Sequence, residues 1–367
     1  MLIDGRPMRT IWEAGDCSVN ILDQAVLPHR IRVVTLACLD DVVTAIAEMR
    51  VRGAPLIGVT AAWGLALAMG ADPSDSGLAT ARSRLAASRP TAANLTWALD
   101  RVARVLASLA PRERRAAARK EAAAMAEEDV AACRRIGEHG AHLIAQIAAR
   151  KGCVNILTHC NAGWLATVDW GTALAPIYVA RERGVDLHVW VDETRPRNQG
   201  AALTAFELGH AGVPHTIIVD NAGGHLMQHG RVDLVLVGAD RITSTGDTAN
   251  KIGTYLKALA AADSGIPFHV AAPSSTIDWT MSDGVTEIPI EEREEAEVTH
   301  SEGILADGRL ARIRVSALGS PAANYAFDVT PARLITGLIT ERGTCAATPT
   351  AIKSLFPERS GQTPSNA

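Results

Sequence analysis

The sequence predicts an α/β protein in two parts. A small N-terminal domain of strands and helices precedes a Rossmann-like, doubly wound parallel-sheet domain. Three observations carry the fold class. From residue 154 onward, short β-rich runs alternate with helical stretches, the pattern of parallel strands joined by crossover helices. Val232–Val237 is an almost unbroken Val and Leu run, as a strand buried on both faces requires. A length of 367 residues, 47% of them apolar, suffices for two cores.

The first part, residues 1–130, begins with short strands at Arg9–Glu13, Val19–Leu22 and Ile31–Thr35, separated by polar or Pro-containing turns. At Asp40 the period changes: Val42, Val43, Ile46 and Met49 mark one helix face, with Asp40 and Asp41 at its start. Val51-Arg52-Gly53-Ala54-Pro55 then opens an Ala- and Gly-rich helix running to Met69, with Pro at a first helical position. Arg52 at this mouth could hold a phosphate, although by spacing alone a solvated surface Arg beside a helix cap is the favoured reading. Ser88-Arg89-Pro90-Thr91 is a second helix entrance, leading into 92–109. A long Ala- and charge-rich helical pattern follows from Pro111 to about Ala149.

The second part, residues 131–356, has strand candidates at Val154–Thr158, Leu187–Val191, Thr216–Val219, Val232–Val237 and Phe268–Ala271. Helical stretches lie at Thr172–Glu182, Gly200–His210, Ala222–His229 and Asn250–Ala262. A closing segment, Phe327–Ile339, offers Thr330 as a cap and Pro331 as a first helical residue. The tail, 357–367, is polar and is expected to be disordered.

Composition narrows the function. A formal charge of −4 gives no bulk attraction to nucleic acid or to a membrane surface. No run looks long and apolar enough to span a bilayer, and MLIDGRPMRT lacks the apolar segment of a signal peptide. Cys17, Cys38, Cys133, Cys153, Cys160 and Cys345 form no C-x-x-C pair and no metal-ligand spacing with His. That pattern predicts a reduced, cytoplasmic chain without a metal site. No G-x-G-x-x-G follows the first strand of the second part, so no dinucleotide is expected.

Candidate chemistry gathers where strands end, which is where open α/β sheets bind ligands. Asp240 follows the Val232–Val237 strand, and Asn250 and Lys251 are read as opening the next helix, whose free N–H groups suit an anion. An Asp here also serves as a turn former or an N-cap. The first strand of this part runs into Thr158-His159-Cys160-Asn161. A thiol near a helix start or a cation ionises more readily, and a carboxyl in an apolar site keeps its proton. The second strand runs into Asp192-Glu193-Thr194-Arg195-Pro196-Arg197-Asn198-Gln199, a charged loop ending on a Gln suited to a phosphate or a sugar hydroxyl.

Six stretches, in order and across nearly the whole chain, resemble the methylthioribose-1-phosphate isomerase family. They are VRGAPLIG, SRPTAANLTWALDR, THCNAGWLAT, WVDETRPRNQGA, VLVGADRITSTGDTANKIGTY and YAFDVTPARLIT. The wider group includes regulatory subunits of a translation-initiation nucleotide exchange factor and ribose-1,5-bisphosphate isomerases. The resemblance implies an aldose–ketose isomerase of methionine salvage, without cofactor and usually a homodimer. It would convert 5-methylthioribose 1-phosphate to 5-methylthioribulose 1-phosphate. By motif, it implies Cys160 and Asp240 as the catalytic pair, and Arg52, Gly53, Ala54, Arg89, Gln199, Asn250 and Lys251 as substrate-binding residues. Trp164 and Val168-Asp169-Trp170 depart from the family pattern, and Trp164 is a candidate for lining an apolar pocket at C5. Isomerases of 5-deoxyribose 1-phosphate or ribose 1,5-bisphosphate are the alternative, and a non-catalytic regulatory subunit is a further one.

Overall fold

A computed structural model describes residues 1–15, 18–89 and 93–359. The chain opens with a two-stranded ribbon, β1 (Leu2–Ile3) and β2 (Arg6–Pro7). A three-stranded antiparallel sheet follows, β3 (Ile11–Glu13), β4 (Val19–Leu22) and β5 (Val33–Leu36). Next come α1 (Leu39–Ala47), α2 (Ala54–Ala71), α3 (Asp75–Ser88), α4 (Ala93–Ala107) and the 41-residue α5 (Pro111–Lys151). α2 lies at the centre of this layer, touching each of the other four helices. It is apolar on every side, as a fully surrounded helix must be. By length and composition α2 is apolar enough to cross a bilayer, which corrects the reading that no such run exists; 83% of it is buried inside the protein. Helix α3 has no counterpart in the sequence reading, because only Ala81 and Leu85 of it are fully buried, too short an apolar row to stand out.

Helix α5 joins the two parts. Its first half (Ala118, Ala122, Met125) belongs to the N-terminal apolar cluster. Its second half (Ile136, Ala141, Ile144) packs into the cluster beneath the large sheet. Residues 130 and 131 therefore fall inside one continuous helix.

The second part alternates β6 (Val154–Thr158), α6 (Ala175–Glu182), β7 (Leu187–Asp192), α7 (Ala205–His210), β8 (His215–Ile218), α8 (Ala222–Gln228) and β9 (Leu234–Val237). It continues through β10 (Arg241–Thr243), β11 (Thr248–Lys251), α9 (Thr254–Asp263), β12 (Phe268–Ala271) and β13 (Ile277–Asp278). The C-terminal elements are α10 (Gly284–Glu287), α11 (Glu295–Thr299), the hairpin β14 (His300–Ile304) and β15 (Leu310–Arg314), β16 (Phe327–Thr330), β17 (Gly337–Thr340), β18 (Gly343–Cys345) and α12 (Pro349–Leu355). The large sheet has the order β18-β17-β12-β9-β6-β7-β8, parallel except for β18. Ile156, Leu234 and Leu236 face one apolar cluster while Leu157, Val235 and Val237 face the other. Both faces are thus covered, as the unbroken apolar runs require. Strand order reverses between β6 and β9, which makes the gap beyond their carboxyl ends the topological switch point.

Three sequence expectations are corrected. Asn250 and Lys251 do not open a helix. They end strand β11, paired antiparallel with β16, Asn250 opposite Asp328 and Lys251 opposite Phe327. Helix α9 begins only at Thr254, after Gly253 turns the chain at φ 101°. The tetrapeptide TANK has no strong preference of its own, and a partner strand far along the chain supplies its hydrogen bonds. For the same reason the helix expected to start at Pro331 does not form: the closing segment Phe327–Ile339 is β16, which includes Thr330, a single 3-10 turn at Ala332–Leu334, and the start of β17. The tail is ordered through Arg359, where Glu358 pairs with Arg342 at 2.6 Å. The rest of the expected disordered tail, 360–367, lies outside the described residues, as do residues 90–92 of the second helix entrance and Cys17.

Candidate active site

Strands β6 and β9 are neighbours, so the chain leaves them at adjacent points of one sheet edge. Cys160 follows β6 by two residues and Asp240 follows β9 by three. One cavity at this edge is lined by Cys160 and Asp240, by Arg52, Gly53, Ala54 and Arg89 from the N-terminal part, and by Gln199, Asn250 and Lys251. All nine residues singled out in the sequence therefore meet, although they span 200 positions.

Local structure explains how each side chain arrives. Gly53 stands before α2 at φ 89°, and a Cβ there would lie 2.4 Å from the Ala166 carbonyl oxygen. Only glycine lets the two parts of the molecule close on each other here. Arg52, beside it, donates from Nη1 to Asn161 Oδ1 at 2.5 Å and from Nη2 to the Asn161 carbonyl at 2.7 Å. Cys160 adopts φ 65°, uncommon for a non-glycine residue. Two hydroxyls hold it there: its N–H donates to Thr194 Oγ1 at 2.8 Å, and its carbonyl accepts from Thr204 Oγ1 at 2.7 Å. The Asp240 N–H donates to the Ala249 carbonyl at 2.9 Å, tying β9's exit to β11. Lys251 reaches the cavity from β11, its Nζ 4.7 Å from the centre of the Phe327 ring. Asn250 Nδ2 donates to Thr254 Oγ1 at 3.0 Å. Arg89 Nε and Gln199 Oε1 are buried without a hydrogen-bond partner among the described residues. They leave one donor and one acceptor for a ligand.

Burial dominates the electrostatics. It pushes the Asp240 carboxyl up from its ordinary value, against Lys251, Arg89 and Arg52, as expected of an acid that keeps its proton. It pushes the Cys160 thiol up as well, outweighing Arg52 and Lys251. The sequence had pointed to a more readily ionised thiol. The cations are in place, but desolvation is the larger effect. Burial likewise lowers Lys251, opposed by Cys160 and Asp240, and lowers Arg89, opposed by Glu291 and Asp240.

Arg195, Arg197 and Trp164 do not join the cavity, whereas His159 and Asn161 do line it. In the charged loop after β7, Arg197 Nη1 pairs with Glu297 at 2.9 Å and Arg195 Nη2 with the Val298 carbonyl at 2.7 Å, both toward α11. Trp164, the candidate for a C5 pocket, is 1% exposed and packs into the apolar cluster that contains Ile3 and Leu22 instead. Sequence spacing missed one grouping: ligand atoms of His159, Asp192 and Asp220 lie within 4.8 Å of one another. Internal bonds engage all three residues, although Asp192 Oδ1 has no partner among the described residues. His159 Nδ1 meets Asp192 at 2.9 Å and Nε2 meets the Ile252 carbonyl at 2.8 Å. Lys257 is 3.2 Å from Asp192, and Asp220 accepts the N–H groups of Thr194 and Arg195, both at 2.7 Å. Asn161, Thr194 and Thr204 were also missed as supports. Their signal was weak, since only Asn161 adjoins a candidate in sequence.

Comparison with known proteins gives the family. Residues 50–347 match the model of the initiation factor 2 subunit family. A methylthioribose-1-phosphate isomerase from Methylorubrum populi is 65% identical over 361 residues, 98% of this chain and 99% of the relative. The crystal structure of 5-methylthioribose 1-phosphate isomerase from Pyrococcus horikoshii OT3 superposes with a TM-score of 0.82 at 39% identity, covering 96% of this chain and 97% of the other. That of the translation initiation factor eIF-2B subunit delta from A. fulgidus gives 0.77 at 37%, covering 96% and 100%. The chain, which matches the Methylorubrum populi isomerase over 98% of its length and brings the motif residues to one cavity, belongs to the methylthioribose-1-phosphate isomerase family within the initiation factor 2 subunit group.

Proposed function

We propose that this cavity isomerises 5-methylthioribose 1-phosphate to 5-methylthioribulose 1-phosphate, an aldose–ketose step of methionine salvage. One observation carries the reading. A thiol and a carboxyl, both pushed toward their protonated forms, converge with Arg52, Arg89 and Lys251 at the switch point of the sheet.

The C1 phosphate blocks the free aldehyde that ordinary sugar isomerases use, so the ring must open with the phosphate attached. Asp240, whose carboxyl burial pushes toward the protonated form, donates to the ring oxygen as general acid. Arg52, Arg89 and Lys251 hold the phosphate by charge-assisted hydrogen bonds. Gln199 Oε1 accepts from a sugar hydroxyl. The apolar wall of Met49, Ala54, Pro55, Ala162, Ala166 and Phe327 suits the methylthio group better than a second phosphate. Net transfer of hydrogen from C2 to C1 completes the reaction. In the enolate route, Cys160 takes the C2 proton. Asp240, a carboxylate once it has protonated the ring oxygen, takes the thiol proton, with Arg52 and Lys251 favouring the thiolate; Cys160 then returns the C2 proton to C1 and recovers the C2 hydroxyl proton. In the hydride route the hydrogen passes directly, and Cys160 and Asp240 manage only oxygen protons. Full retention of a C2 deuterium at C1 selects the hydride route, and washout into solvent selects the enolate route.

The test of the function is ketose formation by the purified protein from 5-methylthioribose 1-phosphate, 5-deoxyribose 1-phosphate and ribose 1,5-bisphosphate. Preference for the bisphosphate would overturn the assignment. A homodimer and a cytoplasmic location belong to the same proposal. Exposed Ile217 and Val219 at the β8 edge, and exposed Leu256 and Leu259 on α9, support self-association. Five described cysteines with free thiols support a reducing compartment. Sedimentation of the purified protein measures the first.

A further inference from the structure

One buried acid stands behind the cavity without contacting it. Glu207 on α7 is 1% exposed. Its two oxygens receive four donors. Asn161 Nδ2 at 2.8 Å and the Leu165 N–H at 3.0 Å reach Oε1; the Trp164 N–H and the Tyr178 hydroxyl, both at 2.8 Å, reach Oε2. Four donors match the acceptor capacity of an ionised carboxylate, and they oppose the burial that pushes this carboxyl up from its ordinary value. The fit leaves no slack, because a Cβ on Gly163 would fall 1.8 Å from Oε2.

Asn161 links this acid to the cavity. The two hydrogens of its amide nitrogen go to Glu207 Oε1 and to Thr204 Oγ1, the latter at 3.1 Å. Its amide oxygen is therefore turned toward Arg52, whose two terminal nitrogens it and the Asn161 carbonyl accept. Flipping the amide would aim oxygen at the carboxylate and NH2 at the guanidinium, which is repulsive at both ends. Thr204, three residues before Glu207, also donates to the Cys160 carbonyl. The π-helical turn Gly200–Thr204 and α7 thus bring both supports under the loop that carries Cys160.

We propose that Glu207 is a positioning residue for the isomerase: it selects the Asn161 amide orientation and so aims Arg52 at the substrate phosphate. The inference rests on the isomerase reading above. Glu207→Gln places an NH2 among four donors and removes the preference for one Asn161 orientation. Arg52 contacts phosphate before and during the reaction, so the loss should appear mainly in KM. The expected rise is about tenfold, the scale of one hydrogen bond to a charged group, with kcat within about twofold and matching weaker inhibition by inorganic phosphate. In an Arg52→Ala background the same change should cost less than about twofold further, because the two act through one contact. A purely structural role would lower the melting temperature without this KM bias or this non-additivity. A folded Glu207→Gln enzyme with unchanged KM overturns the proposal, and so does a full further loss on top of Arg52→Ala. Should Glu207→Gln not fold, Asn161→Ala carries the same expectations, and a wild-type KM in that variant overturns the relay. Wild-type turnover of 5-methylthioribose 1-phosphate is the control. Its absence sinks the isomerase reading, whereas turnover by wild type with unaffected variants sinks only the relay.

Discussion

Cys160 and Asp240 show how burial tunes single residues. Asp240→Asn keeps the shape and removes the titratable proton; Cys160→Ser keeps a small polar group but makes a far weaker acid. Each should lower turnover by about a hundredfold or more. Each should stay folded, since no apolar volume is lost. A folded Cys160→Ser enzyme turning over near the wild-type rate would show that the thiol is structural. The pH profile carries a sign. Because burial raises Asp240, its proton is held below the raised pKa and lost as pH climbs through it. If it is the general acid, kcat/KM falls on the alkaline side, and Asp240→Asn lacks that limb. Lys251→Ala should raise KM and weaken phosphate inhibition together.

Among the elements, strands and helices with their own apolar period were legible. β6, β7, β9, β12, α2 and α5 lie within a few residues of their expected bounds. β10, β11 and β16 were not, since their pairing joins segments far apart in the chain and their own sequences carry little pattern. Two expectations belong to this scale. Gly53→Ala should separate α2 from the 163–167 turn and cost most of the activity, because the new Cβ meets backbone that cannot move aside; a wild-type rate in that variant would mean the junction is not tight. On α5, burial raises Asp129 from 3.8 to about 7 while its carboxylate accepts the Val168 N–H at 2.7 Å. A carboxyl raised on folding favours the native state at low pH, and that contribution is lost as pH rises from about 4 to 7. Asp129→Asn should therefore melt higher than wild type at pH 8, with the gain fading toward pH 4. An equal gain at both pH values would exclude titration as the cause.

The whole molecule is a clamp. Arg52, Gly53, Ala54 and Arg89 come from the N-terminal part, while Cys160, Gln199, Asp240, Asn250 and Lys251 come from the sheet. A phosphorylated ligand held from both sides stabilises the folded state by about 2.7 kcal/mol at a hundredfold excess over its Kd. Thermal melts with rising product should climb accordingly, and Lys251→Ala should flatten the climb. An undiminished shift in that variant would place the phosphate elsewhere.

Of the candidate site, the sequence by itself placed Cys160 and Asp240 at strand ends and Arg52 and Gly53 at a helix mouth, but misplaced Asn250 and Lys251, which end β11. Cys160 follows β6 and Asp240 follows β9 by local pattern alone, and Arg52 and Gly53 precede α2 by theirs. The motifs around them pointed to the family. Only the tertiary structure decided three things. It put β6 beside β9, so that the two strand ends face one gap. It enclosed the thiol deeply enough that desolvation outweighs its cations. It also set Glu207 behind Asn161, a contact between residues 46 apart. Each depends on long-range packing, in which a partner remote along the chain sets the dielectric and the hydrogen bonds. Local periodicity records which face of an element is buried, but not what is buried against it.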